Sequence, residues 1–211
     1  MRFTDAREAG GALASRLSDY AGRDGVVVIA VARGGVGVAA EVSRRLALPL
    51  DVVLVSRLLA PRPDDPLCAA NVAGTPFLDE GLSAHAARDP AFANYLAQAA
   101  AELGRRARAC RGARPALALS GRTVLLVDNG VRTGSTLRAV ARAVRRQRPA
   151  RLVACAPVAD AASLGVVRGS CEEFVCLATP EPFGHVGMWY ADFARPSDDE
   201  MRATLEASGR G

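Results

Sequence analysis

Val124-Leu125-Leu126-Val127-Asp128-Asn129-Gly130-Val131-Arg132-Thr133-Gly134-Ser135-Thr136 decides how the chain is read. The apolar run that opens at Thr123 reads as a buried strand of a parallel sheet. It delivers Asp128 to the carboxyl edge of that sheet, where open α/β folds bind their ligands. Thr133, Gly134, Ser135 and Thr136 fall where the next helix begins. Free N–H groups and the positive end of the helix dipole favour a phosphate there. Gly134 lets the backbone come close, three hydroxyls can donate, and Asp128 would meet the hydroxyls of a sugar carrying that phosphate. A strand, an Asp turn and a Ser/Thr-capped helix with no ligand would use the same residues. The acidic strand end, combined with this loop length, weighs for the phosphate.

A second strand–glycine–helix unit lies upstream. Gly25 opens Val26-Val27-Val28-Ile29-Ala30-Val31, a turn follows at Arg33-Gly34-Gly35-Val36-Gly37, and a helix spans about 38–46 before Pro49. Such a turn is an anion nest. Gly35-Val36-Gly37-Val38-Ala39-Ala40 also fits the GxGxxA dinucleotide fingerprint. That fingerprint wants an acid about 20 residues on to hold a ribose. Asp51 comes only 14 residues after Gly37, and it starts the next strand rather than ending it. The downstream loop therefore tips the balance to a phosphorylated sugar.

The remaining punctuation alternates strands and helices. Thr4 or Asp5 caps a helix reaching about residue 20, with Ala9, Leu13 and Leu17 on one face. Residues 51–55, 152–157 and 174–177 read as strands. Asp89-Pro90 opens a helix to about 109, with Leu96, Leu103 and Ala107 inward. Ser197-Asp198-Asp199-Glu200 is a capping box for a last helix at 198–207, which accounts for that acid run without a metal. Residues 59–90 carry Pro61, Pro63, Pro66, Gly74, Pro76, Gly81 and Pro90 without a strong period, and read as a lid or flap. The alternation implies an α/β fold with a central parallel sheet of about five strands and helices on both faces.

Composition narrows the function classes. The chain has 211 residues, 50% of them apolar and 23% charged, which fits one globular domain and excludes global disorder. No apolar run reaches the ~18 residues of a membrane-spanning helix. The charged first residues exclude a secretory signal. All 27 basic residues are arginine, and the net charge is +5. Cationic contacts to an anion must come from Arg or from backbone N–H groups. Few aromatics and no clustered basic tract argue against nucleic-acid binding. Five cysteines with no CxxC pair argue against a disulfide framework or a zinc site and fit a reducing cytoplasm. His85 and His185 are isolated in sequence and read as surface or packing residues.

Residues 124–136 resemble the phosphoribosyl pyrophosphate motif of type I phosphoribosyltransferases. In that motif a hydrophobic strand ends in two adjacent acids, followed by a short loop with Thr-Gly. The resemblance covers nearly the whole chain and points to a bacterial subfamily of unassigned substrate. Its further marks are Arg33-Gly34-Gly35-Val36 and a late segment, Thr179-Pro180-Glu181-Pro182-Phe183, Val186-Gly187, Trp189-Tyr190, Asp192-Phe193, Ser197-Asp198 and Glu200.

The resemblance implies a single phosphoribosyltransferase domain over 1–211, with a flap at about 59–90 and a C-terminal hood at about 178–211. It implies Mg²⁺-dependent transfer of a phosphoribosyl group from phosphoribosyl pyrophosphate to a nitrogen acceptor such as a nucleobase. Asp128 and Asn129 would be catalytic, and Asp128 would also face the metal. Arg132, Thr133, Gly134, Ser135 and Thr136 would bind the 5′-phosphate. Arg33, Gly34 and Gly35 would bind pyrophosphate, often through a strained or cis peptide. Phe183, Trp189 and Tyr190 belong to the hood over the acceptor, where a ring either stacks on a flat acceptor or packs the hood on the core. Expected partners are phosphoribosyl pyrophosphate or a nucleotide, with no membrane and no nucleic acid; a homodimer stays open.

Four features depart from the family pattern. Asn129 replaces the second acid. Ser56-Arg57 stands where the subfamily usually has Arg-Lys, and Leu59 where it has glycine. Arg132 stands where 6-oxopurine enzymes carry an acid, which disfavours that substrate class. Residues 68–74 match only loosely. A non-catalytic protein that binds a nucleotide or phosphoribosyl compound as a sensor is therefore the alternative.

Overall fold

β1 (Val26–Ala32) and β5 (Thr123–Val127) are the two apolar runs, and they pair in parallel, Val26 with Thr123 through to Ala30 with Val127. In β1, Val26, Val28, Ala30 and Ala32 enter one core, while Val27, Ile29 and Val31 enter the other. Burial on both faces is why the run is continuous rather than alternating. The computed structural model describes residues 2–59, 67–78, 80–194 and 196–208.

With β2 (Leu50–Leu59), β3 (Leu67–Val72), β4 (Thr75–Leu78), β6 (Arg151–Val158) and β7 (Glu173–Ala178), the described residues form a sheet of seven strands in the order β4-β3-β2-β1-β5-β6-β7. The five strands from β2 to β7 in that order run parallel, as expected. β3 and β4 add an antiparallel edge that the sequence did not announce. Helices α1 (Ala6–Arg16), α2 (Val36–Leu46), α3 (Glu80–Ala86), α4 (Pro90–Arg111) and α7 (Asp198–Ser208) cover one face. Helices α5 (Ser135–Arg145) and α6 (Leu164–Arg168) cover the other.

The caps fall where side-chain chemistry places them. Asp5 accepts from Glu8 N at 2.8 Å, and Asp89 accepts from Ala91 N and Phe92 N at 2.9 and 3.1 Å. Ser197 N donates to Glu200 at 2.7 Å and Glu200 N returns to Ser197 Oγ at 3.2 Å, a reciprocal capping box. α1 stops at Arg16, short of residue 20, and a 3-10 turn takes Ser18–Tyr20.

The segment at 59–90 is the main correction to its expected irregularity. Within it lie two strands and a helix, while 60–66 and 79 fall outside the described residues. β3 turns into β4 through Ala73 and Gly74, both at positive φ (50° and 84°), as a tight two-residue hairpin requires. Ala-Gly replaces the Asn-Gly or Asp-Gly that would have marked the turn. Pro76 is tolerated because β4 is the edge strand.

Two other groups find structural roles. Asp51 is buried at the start of β2 and pairs with the equally buried Arg111 at 2.7 Å, while also accepting from Val52 N and Leu117 N. A carboxylate so engaged has no ribose to hold, which removes the dinucleotide fingerprint. The five cysteines form no disulfide. Among the described residues, no helix is long and apolar enough to cross a membrane and no cluster of His, Cys, Asp and Glu could hold a metal by itself.

The sheet order sets the position of the site. β1 continues through α2 to β2 on one side, and β5 continues through α5 to β6 on the other. The chain thus diverges between β1 and β5, and the crevice outside their carboxyl ends is the ligand position such sheets provide.

Candidate functional site

A cleft of about 730 Å³ opens at that divergence. Its floor is the two loops that follow β1 and β5. Arg33 and Gly34 line it from the first, and Asp128 through Leu137 from the second. α2 and α5 both begin at a glycine N-cap, Gly35 and Gly134, which has no side chain to cap its helix, and at the start of α5 Thr133 Oγ1 accepts from Ser135 N at 3.4 Å. The loops that open the two helices therefore share one cleft, with the first turn of α5 also in its lining, an arrangement for two phosphate groups.

Close backbone packing builds the first loop. A Cβ on Gly35 would stand 2.6 Å from the Val127 carbonyl and 2.8 Å from that of Val31. Only glycine lets α2 start so near the end of β5. A Cβ on Gly34 would meet the Asn129 carboxamide at 2.6 Å, so the two loops touch directly. The Ala32–Arg33 peptide is cis.

The second loop is pinned from below and from the side. Val131 N donates to Val158 O at 2.9 Å and Asp160 N to Val131 O at 2.8 Å, tying the loop to the end of β6. The Tyr190 hydroxyl donates to the Asn129 carbonyl at 2.5 Å. Thr133 and Ser135 share a hydroxyl contact of 2.9 Å. Gly134 sits at φ 79°, and its Cβ position faces Val166 and Val167 of α6 rather than the cleft. Its necessity thus comes from the left-handed backbone and the crowding below, not from a ligand's approach. Gly134→Val should cost about 1–2 kcal/mol of backbone strain or more. It should weaken ribose 5-phosphate binding at least tenfold, roughly, as the loop turns away. Calorimetry on the variant checks this, and unchanged affinity would remove the phosphate assignment.

Electrostatics single out Asp128. Burial pushes its carboxyl up to about 6, against the pull of the Asn129 N–H and the Arg57 charge. Its oxygen accepts from Asn129 N at 2.8 Å. Arg57, at the end of β2, lines the cleft and donates to Thr136 Oγ1 at 3.1 Å. Arg33, Arg106 and Arg132 line it too, so the cleft is strongly cationic around one partly covered acid.

The site gathers most of the expected residues. Arg33, Gly34, Asp128, Asn129, Arg132, Thr133, Gly134, Ser135 and Thr136 all line the cleft, and Gly35 lies directly beneath. Phe183, Trp189 and Tyr190 do not line it. Phe183 and Tyr190 are buried, Trp189 donates its ring N–H to Phe183 O at 3.0 Å, and Tyr190 stacks between Phe3 and Phe193. These rings dock the hood, and burial with Asp128's negative charge nearby pushes the Tyr190 hydroxyl upward. The hood residues facing the cleft are His185, Val186, Gly187 and Phe193. Arg106 and His185 were not expected there, whereas Arg57 was expected at the site only as a departure from the family pattern. Only Arg57 carried a signal, as a cation at the carboxyl end of a parallel strand.

Comparison with known proteins places this geometry. The phosphoribosyl transferase domain family matches residues 3–64 and 80–191. A Mycobacterium tuberculosis H37Rv protein, whose name gives phosphoribosyl transferase as a provisional activity, is 35% identical over 210 residues, 99% of this chain. The chain spans about half the length of that relative, 47%. The crystal structure of TT1426 from Thermus thermophilus is 38% identical, with a TM-score of 0.79 over 97% of this chain and 98% of that one. A hypothetical protein from Neisseria gonorrhoeae with bound ppGpp shares the fold, at 16% identity and a TM-score of 0.54, over 100% of this chain and 97% of that one. With two glycine-started helices flanking one acidic strand end, and a family match over most of its length, the chain belongs to the phosphoribosyl transferase domain family.

Proposed function

We propose that the protein transfers a phosphoribosyl group from phosphoribosyl pyrophosphate to a nitrogen acceptor such as a nucleobase. The observation that carries this reading is one cleft lined by the loops that open two helices, Arg33–Gly34 before α2 and Arg132–Gly134 before α5, with Asp128 in its lining. Spaced phosphates with a sugar between them are the ligand that matches. The loop from Arg132 to Thr136 would take the 5′-phosphate, and Arg33 with Gly34 the pyrophosphate. Asp128 and Asn129 would meet the ribose hydroxyls.

The donor set fits a hard divalent ion held mainly by substrate. A single carboxylate plus an amide oxygen cannot make a protein cage, but Mg²⁺ commonly takes only one or two carboxylates alongside substrate phosphates. Asp128 and Asn129 are the residues that would hold it. When bound, Mg²⁺ would neutralise the charge of the leaving pyrophosphate. The chain's own contribution is positioning and fixed positive charge: helix N-termini and Arg33 where charge builds on the leaving group, Arg57 behind the 5′-phosphate loop.

A sensor that binds a nucleotide or phosphoribosyl compound without turnover is the second reading, and Asn129 favours it, because one negative charge is missing at the strand end. Either reading requires the diphosphate loop. Pyrophosphate should displace bound phosphoribosyl pyrophosphate in a titration, and NAD should not. Tight NAD binding would restore a dinucleotide ligand and overturn both.

A further inference from the structure

We infer that Asp198 is a positioning residue of the diphosphate site, holding the Arg33 guanidinium in the cleft wall. The inference rests on the reading of the Arg33–Gly34 loop as that site. Asp198 opens α7, yet the capping of that helix is carried by Ser197 and Glu200, which leaves the Asp198 carboxylate for other partners. It takes a two-pronged bond from Arg106 of α4, at 2.9 and 2.8 Å, and lies 3.3 Å from Arg33 Nη2. Both arginines line the cleft. One carboxylate on the C-terminal helix α7 therefore gathers cations from two other elements, the loop after β1 and the long helix α4.

The geometry argues for positioning over blocking. A guanidinium has five N–H donors in a fixed plane, and Asp198 engages one Nη of Arg33, so the others remain for a ligand. Both Asp198 oxygens are already committed to Arg106, which leaves that carboxylate little net charge to repel an anion. Without it, two guanidinium groups that now share one counter-ion would repel, and Arg33, 46% exposed, would swing into solvent. Removing a negative charge near an anion site would ordinarily tighten anion binding, so the inference predicts the opposite sign.

The test measures pyrophosphate and ribose 5-phosphate binding separately, by calorimetry, on the whole chain. Asp198→Asn should weaken pyrophosphate about fivefold, the upper range for a half-exposed ion pair, and leave ribose 5-phosphate unchanged. In an Arg33→Ala background the same substitution should have no further effect on pyrophosphate, whereas a merely structural role would add. Unchanged or tighter pyrophosphate binding in Asp198→Asn, with Arg33→Ala still weakening it, overturns the inference and leaves the loop's role intact. If Arg33→Ala itself does not weaken pyrophosphate, the reading of the loop fails and the inference falls with it. Should Asp198→Asn not fold, Asp198→Glu carries the test. It keeps a carboxylate for Arg106 but shifts it by a methylene, and pyrophosphate should weaken by at least about twofold with ribose 5-phosphate unchanged. No weakening there overturns the inference.

Discussion

Asp128→Asn should make the unliganded protein more stable at neutral pH while abolishing its binding of phosphoribosyl pyrophosphate with Mg²⁺. The half-buried carboxyl has been pushed from 3.8 up to about 6, with loss of its water as the main cause. An acid raised on folding holds its proton better folded than unfolded. Ionised Asp128 therefore costs stability above pH about 6, and the cost fades as pH falls towards 3.8. An amide carries no charge to desolvate, and its oxygen still accepts from Asn129 N. The expected gain at pH 7.5 is about 1–3 kcal/mol, roughly 3–10 °C in melting temperature, shrinking to nothing below pH about 4. Thermal melts across pH check the stability, and calorimetry the binding. A lower melting temperature at pH 7.5 would mean that the carboxylate's hydrogen bond and the Arg57 charge outweigh its burial.

Asn129→Asp should raise turnover and tighten Mg²⁺-dependent binding of phosphoribosyl pyrophosphate. Two acids would then stand at the end of β5, each lifting the other's pKa in the empty cleft, so the unliganded protein should lose about 1 kcal/mol. The replacement is nearly isosteric and leaves the contact with Gly34 its room. One charged hydrogen-bond partner is typically worth about 1.5–3 kcal/mol. Spent wholly in the transition state, that amounts to a roughly 10- to 150-fold faster rate. Steady-state kinetics on both proteins with the same acceptor measures the difference, and an unchanged rate would show that Asn129 already does the family's work at this position.

What was legible in the sequence was local. Each loop proposed to bind phosphate is a strand, a short glycine turn and a helix start, so Asp128, Thr133 to Thr136 and the Arg33–Gly35 turn could be placed without knowing anything else of the fold. The β3–β4 hairpin was hidden because Ala69 and Ala70 are small, poor strand formers and Ala73-Gly74 gives a weak turn signal. The hood rings were indistinguishable from acceptor-binding aromatics because docking against Phe3, near the other end of the chain, decides which way they face. Arg106 reaches the cleft only through the packing of α4 beside α7, a tertiary fact with no sequence period. The Ser197–Glu200 capping box was legible, but the ion pairs of Asp198 with Arg106 and Arg33 were not, because they join elements far apart in sequence.

The most direct test is a pyrophosphate-release assay with phosphoribosyl pyrophosphate, Mg²⁺ and a panel of nucleobases, on the natural chain, Asn129→Asp and Asp128→Asn. Phosphoribosyl transfer predicts acceptor-dependent release by the natural chain, faster release by Asn129→Asp and none by Asp128→Asn. If neither the natural chain nor Asn129→Asp releases pyrophosphate with any acceptor, while both bind the donor, transfer is contradicted and the protein is a sensor.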